Sequence, residues 1–362
     1  MKITGLRTQV VEFPYTPPIG LSAGYALRTG SCVLVFLESD QGEIGEGLVY
    51  AFNGERIGLY EQMVRSFEPL VVGQDARRSG AIFARAWSDI RTLGQSGFAV
   101  NALAALDMAL WDLRAKLAGM NVSALLGVVH SALPAYDSGS YWATLSPDEL
   151  QRNARASMAR GFRAFKLRIT GKVAQDVARV RAMREVIGPD AALLVDLNQR
   201  STVSDAIRVG RALEEFNLTW FEEPLPWHDH RGEAEIAAAL DVPLASGESV
   251  YTSRGILEML RLRAADVVMP DLQHMGGPTE FLRAANYAQA FDTPVSNHCF
   301  TEMSISLLAT LPNANWLEYM HWLEPIYAER IALDGKGNAL VPTRPGWGFA
   351  FDRDAIRKYA RT

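Results

Sequence analysis

Short apolar runs that each end in a charged or amide residue recur through the second half of the chain. Leu193, Leu194 and Val195 lead into Asp196, Leu197 and Asn198. Trp220 and Phe221 lead into Glu222 and Glu223, and Leu244 and Ala245 lead through Ser246 and Gly247 to Glu248. Runs of this kind predict strands buried on both faces, each with a polar tip. Asp196, Glu222 and Glu248 follow one another at intervals of 26 residues. That is about one strand, one helix and two loops per step, as in a (β/α)8 barrel of roughly 250 residues. The period extends both ways. Lys166 and Arg168 end the preceding run, and Asp271, His298 and Glu318 end the runs that follow, at steps of 23, 27 and 20 residues. A polar residue at the tip of every strand in a row reads as an active-site rim, because such barrels carry their chemistry at the C-terminal ends of their strands.

Helix-period patterns alternate with these strands at 146–160, 173–187, 203–216, 233–240, 253–263, 278–291 and 302–311. Ser146, Pro147, Asp148 and Glu149 give the first of them a start signal: a hydroxyl cap, a proline at the first helical position and acids in the first turn. The first 127 residues follow another pattern. Strands are predicted at 3–13, 32–39 and 44–50, with a turn at Asp40, Gln41 and Gly42, and helices at 55–70, 79–93 and 99–117. The last helix is apolar on most faces and should be deeply buried. After Glu318 the chain becomes irregular, with a hairpin turn at 334–338. We therefore expect an α+β domain at 1–127, a barrel at 128–325 and a C-terminal segment, 326–362, that returns to the first domain.

Composition changes little in this picture. The 362 residues are 48% hydrophobic and 21% charged, ordinary for a globular enzyme with an ample core. A net charge of −5 and a pI of about 5.8 favour neither nucleic acid nor an anionic membrane. Cys32 and Cys299 are too few for a disulfide scaffold or a site ligated by cysteines, and a reducing cytoplasm fits. The N-terminus alternates like a strand and lacks the apolar core of a signal peptide. Asn101 and Asp107 interrupt the apolar stretch at 98–111, which makes it a buried helix and not a membrane span.

The tip residues suggest the chemistry. Three carboxylates converging on one barrel mouth repel each other, so a hard cation is their natural companion. Oxygen-only ligands select Mg²⁺, Mn²⁺ or Ca²⁺ over zinc. Lys166 and Arg168, two apart on a strand, share a face and bring positive charge, while Leu167 points to the helices. His298 stands one strand beyond Asp271. A carboxylate on the neighbouring strand can bind one ring nitrogen and leave the other free as a base.

The ordered set resembles the enolase superfamily and, within it, the mandelate racemase subgroup. The resemblance runs over almost the whole chain. It includes Ile3 to Thr8, the helix holding Ala104, Asp107, Trp111 and Asp112, and the segment Tyr136, Asp137 and Ser138. It continues through Lys166-Leu167-Arg168, Asp196-x-Asn198, Trp220 to Pro224, Gly247-Glu248, Pro270-Asp271 with Gly276-Gly277, His298, and Trp316 to Glu318. It implies an α/β fold: a modified (β/α)7β TIM-type barrel with an N-terminal α+β capping domain completed by the C-terminal tail. It implies Mg²⁺, with Mn²⁺ as the substitute, on Asp196, Glu222 and Glu248. It also implies abstraction of the proton α to a substrate carboxylate, giving an enediolate. In that pattern His298 with Asp271 is a base, and Glu318 donates a hydrogen bond to the carboxylate, which requires a raised pKa. Ser138 and Asn198 touch substrate. The lid lies near residues 18–30 and after the second strand, where Tyr25, Tyr50 and Phe52 are candidate contacts. Its partners are a small carboxylate substrate and further copies of itself in a homo-oligomer, with no nucleic acid and no membrane.

One departure from the pattern changes the expected reaction. Where the racemase carries a second lysine as base on the other face of the substrate, this chain has Arg168. Guanidinium is a poor proton acceptor at neutral pH. A one-base reaction survives, and the common one is β-elimination of water from a sugar acid or other hydroxy acid, with Lys166 and Arg168 as electrostatic partners. The alternative is a racemase, epimerase or cycloisomerase of a 2-hydroxy carboxylate. The largely apolar lid, with Leu21, Leu27 and Phe52, pulls toward a smaller or less polar substrate. A hydrolase of the amidohydrolase type would carry His-x-His on the first barrel strand, where Tyr136, Asp137 and Ser138 stand. A non-catalytic carboxylate-binding protein would not need the Asp271–His298 pair.

Overall fold

The computed structural model describes residues 1–22 and 25–361, and the side chains outside 21–25. The expected lid contact Tyr25, like the rest of 21–25, therefore lies outside the described side chains. The chain opens with a three-stranded antiparallel sheet, β1 (Ile3–Ser22), β2 (Tyr25–Ser39) and β3 (Ile44–Phe52), in the order β1-β2-β3. The central strand is covered on both faces: Val33, Val35 and Leu37 pack among the helices, and Cys32, Leu34 and Phe36 face the core shared with the barrel. β1 runs nine residues beyond the predicted strand, through Pro14, Pro17 and Pro18, with its pairing to β2 interrupted between Pro14 and Ile19. Among the described strands β2 is its one partner, with a single bridge from Val11 to Ala360 on its other side, and an edge strand tolerates proline.

The long helix Gly97–Leu117 lies across this sheet, and Val100 to Leu110 are all buried. Glycine in β3 permits the approach. A Cβ on Gly45 or Gly47 would stand 2.2 Å from the carbonyl oxygen of Ala109 or Ala105. The helix predicted at 55–70 is two pieces, Ile57–Ser66 and Glu68–Val71. Pro69, in the first turn of the second piece, has no N–H with which to continue the first.

The barrel begins with β4 (Ala132–Asp137) and continues through β5 (Ala164–Arg168), β6 (Ala192–Asp196), β7 (Trp220–Glu222), β8 (Leu244–Ser246) and β9 (Val267–Val268) to β10 (Leu317–Tyr319). β10 pairs with β4 in parallel, and each of β4 to β8 pairs with the next strand. Single parallel bridges close the ring, from Val268 to Val295, from Asp271 to His298, and from Val295 to Ala314. Seven helices alternate with the strands: Pro147–Ala159, Val173–Ile187, Val203–Leu213, His230–Ala239, Thr252–Leu262, Pro278–Ala290 and Thr301–Leu308. This is the modified (β/α)7β barrel that the resemblance implies, where the period alone suggests a (β/α)8 barrel.

Alternation along the strands sets the interior. Tyr136, Ala164, Leu194, Trp220 and Ala245 form an inner apolar layer, while Phe165, Leu167, Val195 and Phe221 pack outward into the larger core. One step further toward the C-terminal ends, the inward positions become Lys166, Asp196 and Glu222, all buried. The polar mouth thus rests on an apolar floor.

The tail ties both regions together. β11 (Asn338–Leu340) pairs with β4. Asp112 of the long helix accepts from the backbone N–H of Trp347 and of Glu46, and the Arg361 N–H donates to the Val10 carbonyl. Asp107 accepts from the N–H and hydroxyl of Thr279, docking the same helix on the start of a barrel helix. Among the described residues no helix is long and apolar enough to cross a membrane.

Candidate active site

Lys166, at the middle of the mouth, is 1% exposed. Its Nζ stands 2.5 Å from Glu222 Oε1, 3.0 Å from Glu318 Oε1 and 3.3 Å from Asp196 Oδ2. Burial works against its charge, but Glu222, Glu318 and Asp196 together outweigh that and hold its pKa well above the ordinary lysine value. Glu222 also accepts from the indole N–H of Trp220 at 2.9 Å. Burial lifts its pKa to about 8 against the opposing pull of Lys166, with Asp196, Glu248 and Glu318 adding to the rise. Asn198, at φ 46°, folds back so that its backbone N–H and side-chain amide both donate to Asp196.

Glu318 corrects one expectation. A raised pKa was expected, yet it is lowered to about 2. Burial alone would raise it. The ammonium of Lys166 and the charge of His298 oppose that, as do hydrogen bonds from the Ser138 hydroxyl and the Cys299 N–H, both 2.6 Å long. Glu318 is therefore an ionised acceptor in this structure and not a neutral donor.

The Asp271–His298 pair is formed across neighbouring strand ends. Asp271 Oδ2 takes the Nδ1 hydrogen bond at 2.8 Å, while its Oδ1 accepts from the N–H groups of Gln273 and His274 at 2.7 and 3.0 Å. These bonds orient the ring so that Nε2 is directed away from Asp271, 3.5 Å from Glu248 Oε2 and 3.4 Å from Cys299 Sγ. Burial disfavours the imidazolium, but the Cys299 sulfur, the Glu248 carboxylate and the Asp271 bond outweigh it and raise the pKa well above the usual histidine value. Of the three acids expected to share a cation, Asp196 and Glu222 turn to Lys166 and Glu248 turns to His298. Among the described residues their oxygens do not gather within 4.8 Å of one another, whereas ligand atoms of Asp271, His298 and Cys299 do. The amine attracts two of the acids, and their mutual repulsion keeps the third apart.

Arg168 is turned aside from this cluster. Its guanidinium donates to the carbonyl and the hydroxyl of Ser138 and lies 3.9 Å over the Trp142 ring. Its Nε is 3.9 Å from Asp196. Arg179 holds the same loop by donating to the Trp142, Leu145 and Arg168 carbonyls. Tyr50 and Phe52 pack together with ring centroids 5.3 Å apart, and the Tyr50 hydroxyl lies 3.9 Å from Cys299 Sγ. A 310 Å³ cavity opens beside them, lined also by Tyr251, Gln273 and His274.

Several participants had no signal in the sequence. Cys299 reads there as a small core residue. Trp142 and Trp322 fall in stretches without a strand or helix pattern. Glu223 sits at φ 37° with one carboxylate oxygen unpartnered, and the other accepts from Gln199. Adjacency to a tip residue was the only hint for Cys299 and Glu223.

Two family models match the chain: the mandelate racemase / muconate lactonizing enzyme N-terminal domain over residues 4–127, and the enolase C-terminal domain-like model over residues 149–355. The L-talarate/galactarate dehydratase of Salmonella typhimurium is 32% identical over 90% of this chain and 81% of its own length. The 3,6-anhydro-alpha-L-galactonate cycloisomerase of Streptomyces coelicolor is 29% identical over 99% of both chains. The crystal structure of L-talarate dehydratase from Polaromonas sp. JS666, complexed with Mg and L-glucarate, superposes with a TM-score of 0.94 at 32% identity, covering 100% of this chain and 98% of that one.

Proposed function

The chain belongs to the mandelate racemase / muconate lactonizing enzyme family of the enolase superfamily, and we propose that it dehydrates a sugar acid or related hydroxy acid with His298 as the single base. The enzyme is Mg²⁺-dependent and acts by abstracting the proton α to a carboxylate, through an enediolate. One observation carries the assignment of the base. The imidazole is pinned through Nδ1 by Asp271, and its Nε2 is left beside the carboxylate cluster.

Asp196, Glu222 and Glu248 would hold the Mg²⁺. Their donor chemistry fits a hard cation, since all are oxygens. With Glu318 they set four carboxylates against two cations, Lys166 and Arg168. A divalent ion relieves the repulsion among such crowded carboxylates. When bound, the ion supplies positive charge to the substrate carboxylate and so acidifies the α-carbon.

This chain's residues do the rest. Lys166 adds a fixed charge next to the carboxylate. Nε2 of His298 takes the α-proton, and Asp271 stabilises the imidazolium that results. The same proton returns to the departing β-hydroxyl, so one C–H and one C–O bond break, water leaves, and the enol product tautomerises to a 2-keto acid. Arg168, Ser138 and Asn198 fix the edge of the site nearest β4 and β6. Tyr50 and Phe52 form its cover.

The test is a panel of sugar acids and simpler hydroxy acids incubated with Mg²⁺ and assayed for 2-keto acid. Product from one of them is expected. Racemised or ring-opened product with no 2-keto acid from any would overturn dehydration. A cycloisomerase is the second reading, favoured by the match to such an enzyme over 99% of both chains, and it too would need one base. We extend the proposal to a cap formed by 1–127 and 326–362 on a barrel at 128–325, and to a homo-oligomer in the cytoplasm. Limited proteolysis, sizing of the purified protein and cell fractionation test these points.

A further inference from the structure

We propose that Gln273 is a positioning residue whose side chain latches the cover of the site to the strand end that carries Asp271. β3 is an edge of the first sheet, and an edge strand leaves outward-facing N–H and C=O groups without a ladder partner. At Tyr50 a side chain takes that partner's place. The Tyr50 N–H donates to Gln273 Oε1 at 2.9 Å, and Gln273 Nε2 donates to the Tyr50 carbonyl at 3.4 Å. One amide thus reproduces a rung of an antiparallel ladder. Gln273 is only 5% exposed, so the rung is sheltered from water and strengthened by its surroundings.

Both ends of the latch lead to working parts. On the barrel side the Gln273 N–H donates to Asp271 Oδ1 at 2.7 Å. The Asn101 amide, turned to satisfy its neighbours, donates to the Gln273 carbonyl at 3.2 Å and accepts from the Tyr60 hydroxyl. On the cap side the Tyr50 ring lies 5.4 Å from that of Phe300, beside Cys299 at the mouth. Three residues on, Asn53 accepts from the Arg28 N–H at 2.7 Å and donates to the Ala26 carbonyl at 3.3 Å. Gln273 therefore sets where the end of β3 stands over the mouth, and Asn53 passes that placement to the start of β2. Gln273→Met keeps the side-chain length and the backbone bond to Asp271, but leaves Tyr50 with an unpaired donor and acceptor. The closed cover is then less populated, and substrate affinity falls by that fraction while the bound complex turns over as before. The latch itself rests on these hydrogen bonds. Its effect on affinity rests on the dehydration reading.

Amide hydrogen exchange followed by NMR reads the latch without any substrate. Slow exchange at Tyr50 is expected in the Mg²⁺-loaded unmodified enzyme. In Gln273→Met it should be faster by roughly tenfold or more, while Leu34 in the central strand keeps its rate. For whichever acid yields a 2-keto acid, the variant's KM should rise by roughly ten- to a hundredfold, with kcat within about twofold of the unmodified enzyme. General misfolding would do the reverse, lowering kcat with the active fraction and leaving KM alone. Fast exchange at Tyr50 in the unmodified enzyme, or an unchanged rate in the variant, would overturn the latch. Faster exchange with an unchanged KM would overturn its positioning role. Absence of 2-keto acid from the unmodified enzyme would instead count against the reaction and leave the exchange result standing.

Discussion

Replacing Asp271 by asparagine should disable His298 by moving one proton. Asp271 Oδ1 accepts from the N–H groups of Gln273 and His274, and Oδ2 accepts from His298 Nδ1. In Asp271→Asn the carbonyl stays on the two N–H groups. Turning the amide over would aim its NH₂ at two buried donors, at about 1–3 kcal/mol for each lost bond. The NH₂ therefore faces Nδ1, which must then accept. The ring proton shifts to Nε2, and the lone pair that should take the substrate proton is gone. Recovering the productive tautomer requires the amide flip, about 2–6 kcal/mol uphill. At about 1.4 kcal/mol per tenfold, kcat should fall between roughly 30-fold and 10⁴-fold, with KM little changed. The same exchange in a serine-protease triad costs about 10⁴ in kcat. Initial rates with Mg²⁺ give the loss, and ¹⁵N NMR of the histidine ring shows which nitrogen is protonated. A kcat within about tenfold of the unmodified enzyme, with the proton still on Nδ1, would refute the reasoning.

The other expectations test the rest of the mouth and its support. Chelation should abolish activity and Mg²⁺ should restore it, and Asp196→Ala, Glu222→Ala and Glu248→Ala should each lower the bound metal measured by elemental analysis; full activity in metal-free protein would contradict the ligand set. In D₂O, one enantiomer of a non-eliminating substrate analogue should exchange its α-hydrogen and the other should not, because Arg168 is clamped between Ser138 and Trp142; equal exchange of both would require a second base. Burial pushes Asp107 up to about 7 against its bonds from Thr279, whereas an unfolded aspartate titrates near 3.9. Between those values the unfolded state binds fewer protons, so stability is full at the acid end and declines as pH rises toward 7. Denaturation midpoints of Asp107→Asn should show a flatter decline, and an unchanged slope would place the titrating group elsewhere.

The barrel was legible because its strands carry two signals at once, an apolar run and a polar tip. The inward step from Leu194 to Asp196, or from Trp220 to Glu222, follows directly from the period of two. Strand length was less legible. β7 and β8 have three residues each and β9 only two, and the ring closes through single bridges at Val295. A single sequence marks where an apolar run lies, not where its hydrogen bonding stops. The extension of β1 was hidden by three prolines, which argue against a strand unless its edge position is known. At the mouth, the tips showed which residues converge, but not their pairing. The low pKa of Glu318 depends on Lys166 reaching it from two strands away around the ring, and no spacing along the chain encodes that contact.

The apolar lid argued for a less polar substrate, but its aromatic residues have another use in the structure. Tyr50 and Phe52 are 5.3 Å apart, Phe52 meets Trp322 edge-on at 5.1 Å, and Trp322 stacks on Trp142 at 5.7 Å with 12° between the planes. Trp142 in turn lies under the Arg168 guanidinium at 3.9 Å. Each aromatic contact contributes about 0.5–1.5 kcal/mol beyond its buried area, and the cation–π contact about 0.5–2 kcal/mol. The chain of rings therefore fixes Arg168 from the lid inward. A polar replacement at Phe52 would loosen Arg168 before it met any substrate. The apolar character of this wall is explained by packing and carries no information about substrate polarity. That information lies below it, where Ser138, Asn198, Lys166 and Glu318 place a hydroxyl, an amide, an ammonium and a carboxylate within one hydrogen-bonded cluster. A substrate that enters by exchanging those contacts for its own must bring both acceptors and donors, as a hydroxylated acid does and a plain aromatic acid does not.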